Sequence, residues 1–524
     1  MGTMDLGRRQ VLQGGLAAGG LLLSGMAGRA WAQSPGGLLS VPKVALVVGN
    51  SKYRQVPLRN PTNDAGAMAE VLNAAGFQVT LKLDAPRAEM VSAIQSHAQA
   101  LAAKKGVGLF YFAGHGVQLA WRNYLIPVDA VVEKTEDIQT RGVDLGSLLK
   151  GITEAGNPMN VIILDACRDD PFGDARRLEQ KGLSQVDAPP GTLLAYATSP
   201  GNTAADGEGA NGLYTEHLLR ESKTQGAKIE DVFKRVRLGV RRKSSGRQIP
   251  WESTSLEEDF FFVPPPQLKK LSDEEKEKRY KEETALWERV ETARDPAPLE
   301  DYLRRYPSGN FAELAQLQLD RSLAAQGEKK IQIALAEGNP YTKGSAVANT
   351  DRKVGDSYTY RVLDLSSKKE RTTFTSTITR ITDTEVTYGD GRVTDLLGNV
   401  RRTVDGARFS ANQEVPLEYA VGKRWVTRYS STPPRGTTGS VEMHFQVVTR
   451  ESITVPAGTF NAFRVEGQGV AWGQRGGFRI VQIRRTDWFA PDRVRGAVAW
   501  ERDRRAGPDV LTSDRAELVS YKES

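Results

Sequence analysis

The sequence predicts an α/β domain with a mostly parallel sheet flanked by helices, joined through a helical connector to a C-terminal antiparallel β domain. Three observations predict it. Between Val41 and Phe262, short apolar runs alternate with stretches of helical periodicity. At Pro264-Pro265-Pro266 that pattern stops, and a charged helical stretch follows. From about Val354 the texture becomes alternating and rich in Thr and Val, with Gly, Asp and Pro turns between segments, as a half-buried antiparallel sheet requires. The 524 residues are too many for one compact core and divide naturally into roughly three units.

Each element has its own signal. Val44–Val48 is an apolar run closed by Gly49, a buried strand. From Asp64 to Ala75 the apolar residues Met68, Val71, Leu72 and Ala75 fall at helical spacing, and Gly76 stops the helix. Phe77–Leu83 reads as a second strand, Pro86–Ala103 as a second helix and Gly108–Phe112 as a third strand. Val161–Leu164 and Thr192–Ala197 supply two more strands, and a last helix covers Ile229–Arg242. The expected boundaries of this α/β unit are 41 and 263.

A connector is expected over 268–335. Ser272 followed by Glu275 has the spacing of a capping box opening a helix through about Ala293, Asp295-Pro296 ends it, and Leu299–Ala325 provides at least one further helix. The β unit is expected over 350–522, with its hydrophobic residues as sheet core. Segments such as Val455–Phe460 and Trp488–Pro491 are similar to β-rich envelope domains, a likeness that carries no chemistry.

Residues 1–32 read as an export signal. Arg8-Arg9 precedes a short Gly- and Leu-rich apolar stretch, and Ala30-Trp31-Ala32 has the small-residue pattern of a cleavage site. The paired arginines resemble the twin-arginine export class, which implies a periplasmic or secreted protein.

Composition narrows the chemistry. The formal charge is +7, but 71 basic and 64 acidic residues are scattered without a dense basic stripe, so nucleic acid is not an expected partner. The single cysteine, Cys167, excludes an internal disulfide framework. Most lone thiols are small buried hydrophobes, so its context has to supply any other role.

That context is specific. Phe112-Ala113-Gly114-His115-Gly116 directly follows one predicted strand, and Asp165-Ala166-Cys167-Arg168-Asp169 directly follows another. Loops at the carboxyl ends of parallel strands converge over a rigid sheet. A thiol with a pKa of about 8.5 is only slightly ionised near neutrality, and a neighbouring imidazole can take its proton to leave a nucleophilic thiolate. Cys167 is therefore the candidate nucleophile and His115 the base that later protonates the leaving amine. The N–H groups of Gly116 and Cys167 are candidates for the oxyanion hole, and no third catalytic residue is evident.

The Gly-His-Gly and Ala-Cys-Arg strings, roughly 50 residues apart, resemble the caspase signature. With Asp165 in place of the glutamine of animal caspases, the sequence is similar to the metacaspase and bacterial orthocaspase branch. Leu58–Asp64, Tyr124–Asp129 and Gly191–Pro200 extend the resemblance over about Val44–Phe262. It implies a caspase-like fold and a cysteine endopeptidase. Asp64 and Asp165 match the positions that receive arginine or lysine in that branch, so the expected substrates are proteins or peptides cleaved after basic residues. The plain structural alternative for Asp64 is a helix N-cap. No cofactor is required by the sequence; calcium activates some members of the branch, but no ligand set is assigned.

Arg176-Arg177 and Lys181, in the polar loop Asp169–Pro190, are expected self-cleavage points or else merely solvated. His97, His217 and His444 lack metal-ligand spacing and are expected to be packing or surface residues. The β unit is expected to engage a partner, the envelope or substrates. Two rivals share the motifs: a catalytically silent scaffold with a peptidase fold, and a cysteine acyl or thioester hydrolase, which leaves the acidic positions unexplained.

Overall fold

The computed structural model describes residues 37–167, 182–200, 202, 204, 209–267, 271–328, 339–473 and 480–524. The expected export signal and the basic residues of the self-cleavage loop lie outside them.

The α/β unit runs β1 (Lys43–Gly49), α1 (Pro61–Ala74), β2 (Gln78–Leu83), α2 (Arg87–Lys104), β3 (Val107–Leu119), β4 (Arg122–Leu125), α3 (Asp137–Arg141), β5 (Val143–Asp144), α4 (Leu145–Ala155), β6 (Met159–Cys167), β7 (Thr192–Tyr196), α5 (Leu213–Glu221), α6 (Ile229–Lys243) and β8 (Trp251–Thr254). The sheet order is β2-β1-β3-β6-β7-β8, parallel throughout except for the β7–β8 pair. Residues Val44–Val48, Leu109–Phe112 and Val161–Leu164 are all buried, as continuous apolar runs must be when helices cover both faces. The mostly parallel α/β architecture expected from the sequence is the one observed.

Three expectations are corrected. The His motif does not follow a strand; it lies inside β3, which continues to Leu119 and turns into an antiparallel hairpin with β4. The extension is stable because β4 supplies ladder partners for residues that would otherwise be loop. Likewise, Asp165–Cys167 are the last three residues of β6, not a loop after it. Asp64 is not a helix N-cap: α1 opens at Pro61 behind Asn60, leaving Asp64 inside the first turn. Two further elements join those expected: α4, capped by Asp144 and burying Leu145, Leu148, Leu149 and Ile152 at helical spacing, and the antiparallel edge strand β8.

The connector comprises α7 (Asp273–Val290), α8 (Pro296–Arg305) and α9 (Ala312–Ala325). The Ser272–Glu275 capping box is formed at the start of α7, and Asp295 caps α8 through the Ala297 N–H. Trp287 is fully buried, stacked on Phe311 at 5.6 Å and edge-on to Tyr302 at 5.4 Å. The same apolar cluster takes in Leu238 of α6 and Tyr388, Leu396 and Leu417 of the β unit. The connector thus wedges between the other two units, and Arg241 of α6 pairs with Asp320 and Glu328 beside it.

Twelve antiparallel strands, from Ser357–Asp364 to Asp509–Lys522, form a closed barrel in which the first strand pairs with the last. Closure removes the free edges of a sheet.

Candidate active site

Adjacent strands bring the two motifs together. The β3–β6 ladder pairs Ala113 with Asp165, shifts register, and then pairs Gly116 with Cys167. Neighbouring strands lie about 4.8 Å apart, so the backbones of His115 and Cys167 are one strand spacing from each other. The shift occurs at Gly114, where a Cβ would fall 2.4 Å from the Tyr53 hydroxyl, so only glycine fits. At Gly116 a Cβ would fall 2.7 Å from the Ala166 carbonyl and 3.1 Å from Leu183, so the second glycine admits the close approach of β6.

His115 is held on three sides and is only 2% exposed. Its backbone N–H donates to the Tyr53 hydroxyl at 2.9 Å, which donates in turn to the Ile126 carbonyl at 3.0 Å. The Tyr53 hydroxyl thereby replaces one ladder bond between His115 and Ile126, while the Ile126 N–H to His115 carbonyl bond remains. The Tyr53 ring lies 4.4 Å from the imidazole. His115 Nε2 lies 2.8 Å from the Val56 carbonyl oxygen. A carbonyl only accepts, so Nε2 carries the hydrogen and Nδ1 is the basic nitrogen of the neutral ring.

Two carboxylates are buried nearby, Asp64 at 0% and Asp165 at 2% exposure. Asp64 Oδ1 accepts from the Asn211 side chain at 2.9 Å and from the Gly212 N–H at 3.0 Å, at the entrance to α5. Asp165 Oδ2 accepts from Thr215 at 2.9 Å, and the Thr215 hydroxyl meets that of Tyr111 at 2.6 Å. Burial first, then the charges of Asp165 and Asp64, push the Tyr111 phenol well above its ordinary range, so both acids act on one spot. Helix α1, strand β6 and the start of α5 thus converge on a floor with two carboxylates.

The segment from Ser184 to Asp187 is clamped from both sides. Asn123 of β4 exchanges two hydrogen bonds with Ser184, at 2.7 and 2.8 Å. From the stretch leading to the barrel, Asn339 donates to the Gln185 carbonyl at 3.0 Å, while Gly344 and Ser345 each donate to Asp187 at 2.6 Å.

Sequence reasoning missed Tyr53, the Val56 carbonyl and the Thr215–Tyr111 pair. A backbone acceptor leaves no trace in side-chain identity, and the Tyr53 contact spans 62 residues. His97 and His217 are buried packing residues whose rings burial lowers to a pKa of about 4, and His444 is partly exposed beside Glu442. Among the described residues there is no cluster of three His, Cys, Asp or Glu that could hold a metal ion.

A central parallel sheet with a Gly-flanked histidine and a cysteine on adjacent strands defines a caspase-like unit. Residues 42–261 match the model of the caspase domain family, peptidase C14. Mucosa-associated lymphoid tissue lymphoma translocation protein 1 of Homo sapiens is 30% identical over 186 residues, covering 34% of this chain and 22% of its own length. Its Mus musculus homolog is 29% identical over 229 residues, covering 42% of this chain and 26% of its own. The likeness therefore spans about a quarter of these relatives.

Proposed function

We propose that residues 41–263 are a cysteine endopeptidase that cleaves proteins or peptides after arginine or lysine. The observation that carries the reading is the bond between His115 Nε2 and the Val56 carbonyl, which directs a basic Nδ1 away from that bond on the strand next to Cys167. In the proposed reaction the Cys167 thiol gives its proton to His115 and its sulfur bonds to the scissile carbonyl carbon. The N–H groups of Gly116 and Cys167 hold the oxyanion. Collapse breaks the C–N bond as His115 protonates the amine, and water then hydrolyses the thioester, returning the proton to sulfur.

The buried pair Asp64 and Asp165 supports the basic specificity, because two desolvated carboxylates favour a guanidinium and repel an acid. No step runs through a metal, and calcium belongs to the reading only as a possible activator. The protein acts in the periplasm or outside the cell, and the barrel engages an envelope partner. The experiment is labelling with an arginyl acyloxymethyl ketone, with and without chelator, read by mass spectrometry. The expected adduct is on Cys167 and is lost in His115→Ala; no adduct on the intact chain identifies the silent scaffold instead.

A further inference from the structure

The barrel and the segment leading into it line a half-open cavity of about 150 Å³ whose wall carries five arginines, at 352, 392, 485, 495 and 502. Three of them are neutralised. Arg485 pairs with Asp487 at 2.5 Å and with Glu414, Arg502 pairs with Asp487 at 2.9 Å, and Arg495 pairs with Asp356 at 2.8 Å.

Arg352 and Arg392 are not. The Arg352 guanidinium donates only to neutral oxygens: the Tyr388 hydroxyl at 3.2 Å and the carbonyls of Leu397 and Arg495 at 3.2 and 3.1 Å. Arg392 donates to the Ser376 hydroxyl at 2.8 Å and lies over the Tyr388 ring, 4.2 Å from its centroid. Among the described residues neither forms an ion pair with a carboxylate, and the Nε atoms of both are buried without a hydrogen-bond partner. Two acids close by make their hydrogen bonds to other groups: Asp395, whose charge acts on Arg352 without touching it, accepts three backbone N–H groups and the Asn399 amide, and Asp390 takes Ser376 and the Arg392 backbone. Both arginines remain partly accessible, so solvent-sized groups reach them.

The fold makes room for these cations: a Cβ on Gly398 would fall 2.9 Å from Arg352 Nη2. The same cavity has an aromatic part of its wall, with the Tyr360 ring 4.6 Å from Trp500 and the Tyr360 hydroxyl fixed on the Ala497 carbonyl. Two half-buried guanidinium groups with no carboxylate in direct contact are stabilised when an anion joins them, and a carboxylate matches the guanidinium fork. The flat rings favour a flat apolar body on that carboxylate. The cavity is smaller than the about 300–1,000 Å³ of drug-sized sites, which limits the ligand to roughly the size of benzoate.

We infer that the barrel is a binding site for a small organic carboxylate with a flat apolar body, its charge held by Arg352 and Arg392 and its body set against Tyr360 and Trp500. Isothermal titration of the intact chain tests this with three probes: benzoate, its neutral isostere benzamide, and inorganic phosphate. The expected result is one saturable benzoate site, at least tenfold tighter than either of the others. Arg352→Gln and Arg392→Gln should each weaken benzoate at least tenfold with the thermal unfolding transition retained. Should Arg352→Gln fail to fold, Arg392→Gln, whose head group rests on the cavity-facing Tyr388 ring, decides the matter. Absence of saturable benzoate binding, equal binding of benzamide or phosphate, or unchanged affinity in a folded variant would each overturn the assignment.

Discussion

Both major units of this protein bury charge at their centres, with opposite signs. The caspase-like unit holds two buried carboxylates, Asp64 in α1 and Asp165 at the end of β6, while the cavity at the barrel holds two guanidinium groups, Arg352 and Arg392, without ion-pair partners among the described residues. The surrounding groups differ accordingly. The acids are met by donors, namely Thr215, Asn211 and the Gly212 N–H, and the arginines by acceptors, namely carbonyl and hydroxyl oxygens. Neutral hydrogen bonds make such charges tolerable. The comparison sets donors around the acids of one unit against acceptors around the arginines of the other, and the ligands proposed for the two sites differ in sign accordingly.

The largest expected effect separates chemistry from binding in the first unit. Cys167→Ala should lower peptide hydrolysis by more than about a thousandfold, because covalent catalysis has no substitute nucleophile, while the thermal unfolding transition stays in place. Asp165→Asn keeps size and an acceptor for Thr215 but removes the charge. It should lower kcat/KM for arginine-ended peptides by about a hundredfold or more, in line with the roughly 2–5 kcal/mol that a lost buried charge partner costs, with little change for peptides ended by an uncharged residue. A uniform loss over both peptide classes would assign Asp165 to structure instead.

A smaller effect tests the support of the histidine. Tyr53→Phe deletes the hydroxyl between the His115 N–H and the Ile126 carbonyl; the carbonyl keeps the Asn50 amide at 3.3 Å, while the His115 N–H loses this acceptor at about 1–3 kcal/mol. The expected outcome is roughly a tenfold fall in kcat with KM little changed.

The smallest effect is on stability. Burial holds His97 neutral, with its pKa lowered from 6.5 to about 4. Between those values the unfolded chain binds the proton and the folded chain does not. The stabilisation is therefore full above pH 6.5 and is lost as pH falls toward 4. Melting curves against pH should show His97→Leu losing less stability over this window than the wild type; an identical slope would contradict a neutral buried ring.

Much of this was legible from residue patterns, and what was not has a physical cause. The apolar runs at Val44–Val48 and Val161–Leu164 read directly as buried strands, because parallel strands covered on both faces cannot alternate. The extension of β3 through His115 did not, since it depends on a hydroxyl 62 residues away and on a hairpin partner. Asp64 has the residue type of a helix cap, yet Pro61 at the first helical position starts α1 earlier and carries Asp64 into the interior. The basic barrel interior was hidden by topology. In the strand Val481–Phe489 the charged residues Arg485 and Asp487 alternate as they would on a solvent face, whereas in the closed barrel both line the cavity.

In the proposed reaction a neighbouring His115 and Cys167 cut peptides whose cleaved residue is read by Asp64 and Asp165. The most direct measurement is kcat/KM of the intact chain on two fluorogenic peptides that differ only in having arginine or aspartate before the scissile bond. The account predicts cleavage of the arginine peptide by at least a hundredfold preference, abolished in Cys167→Ala. Preference for aspartate, or cleavage that survives Cys167→Ala, would contradict it.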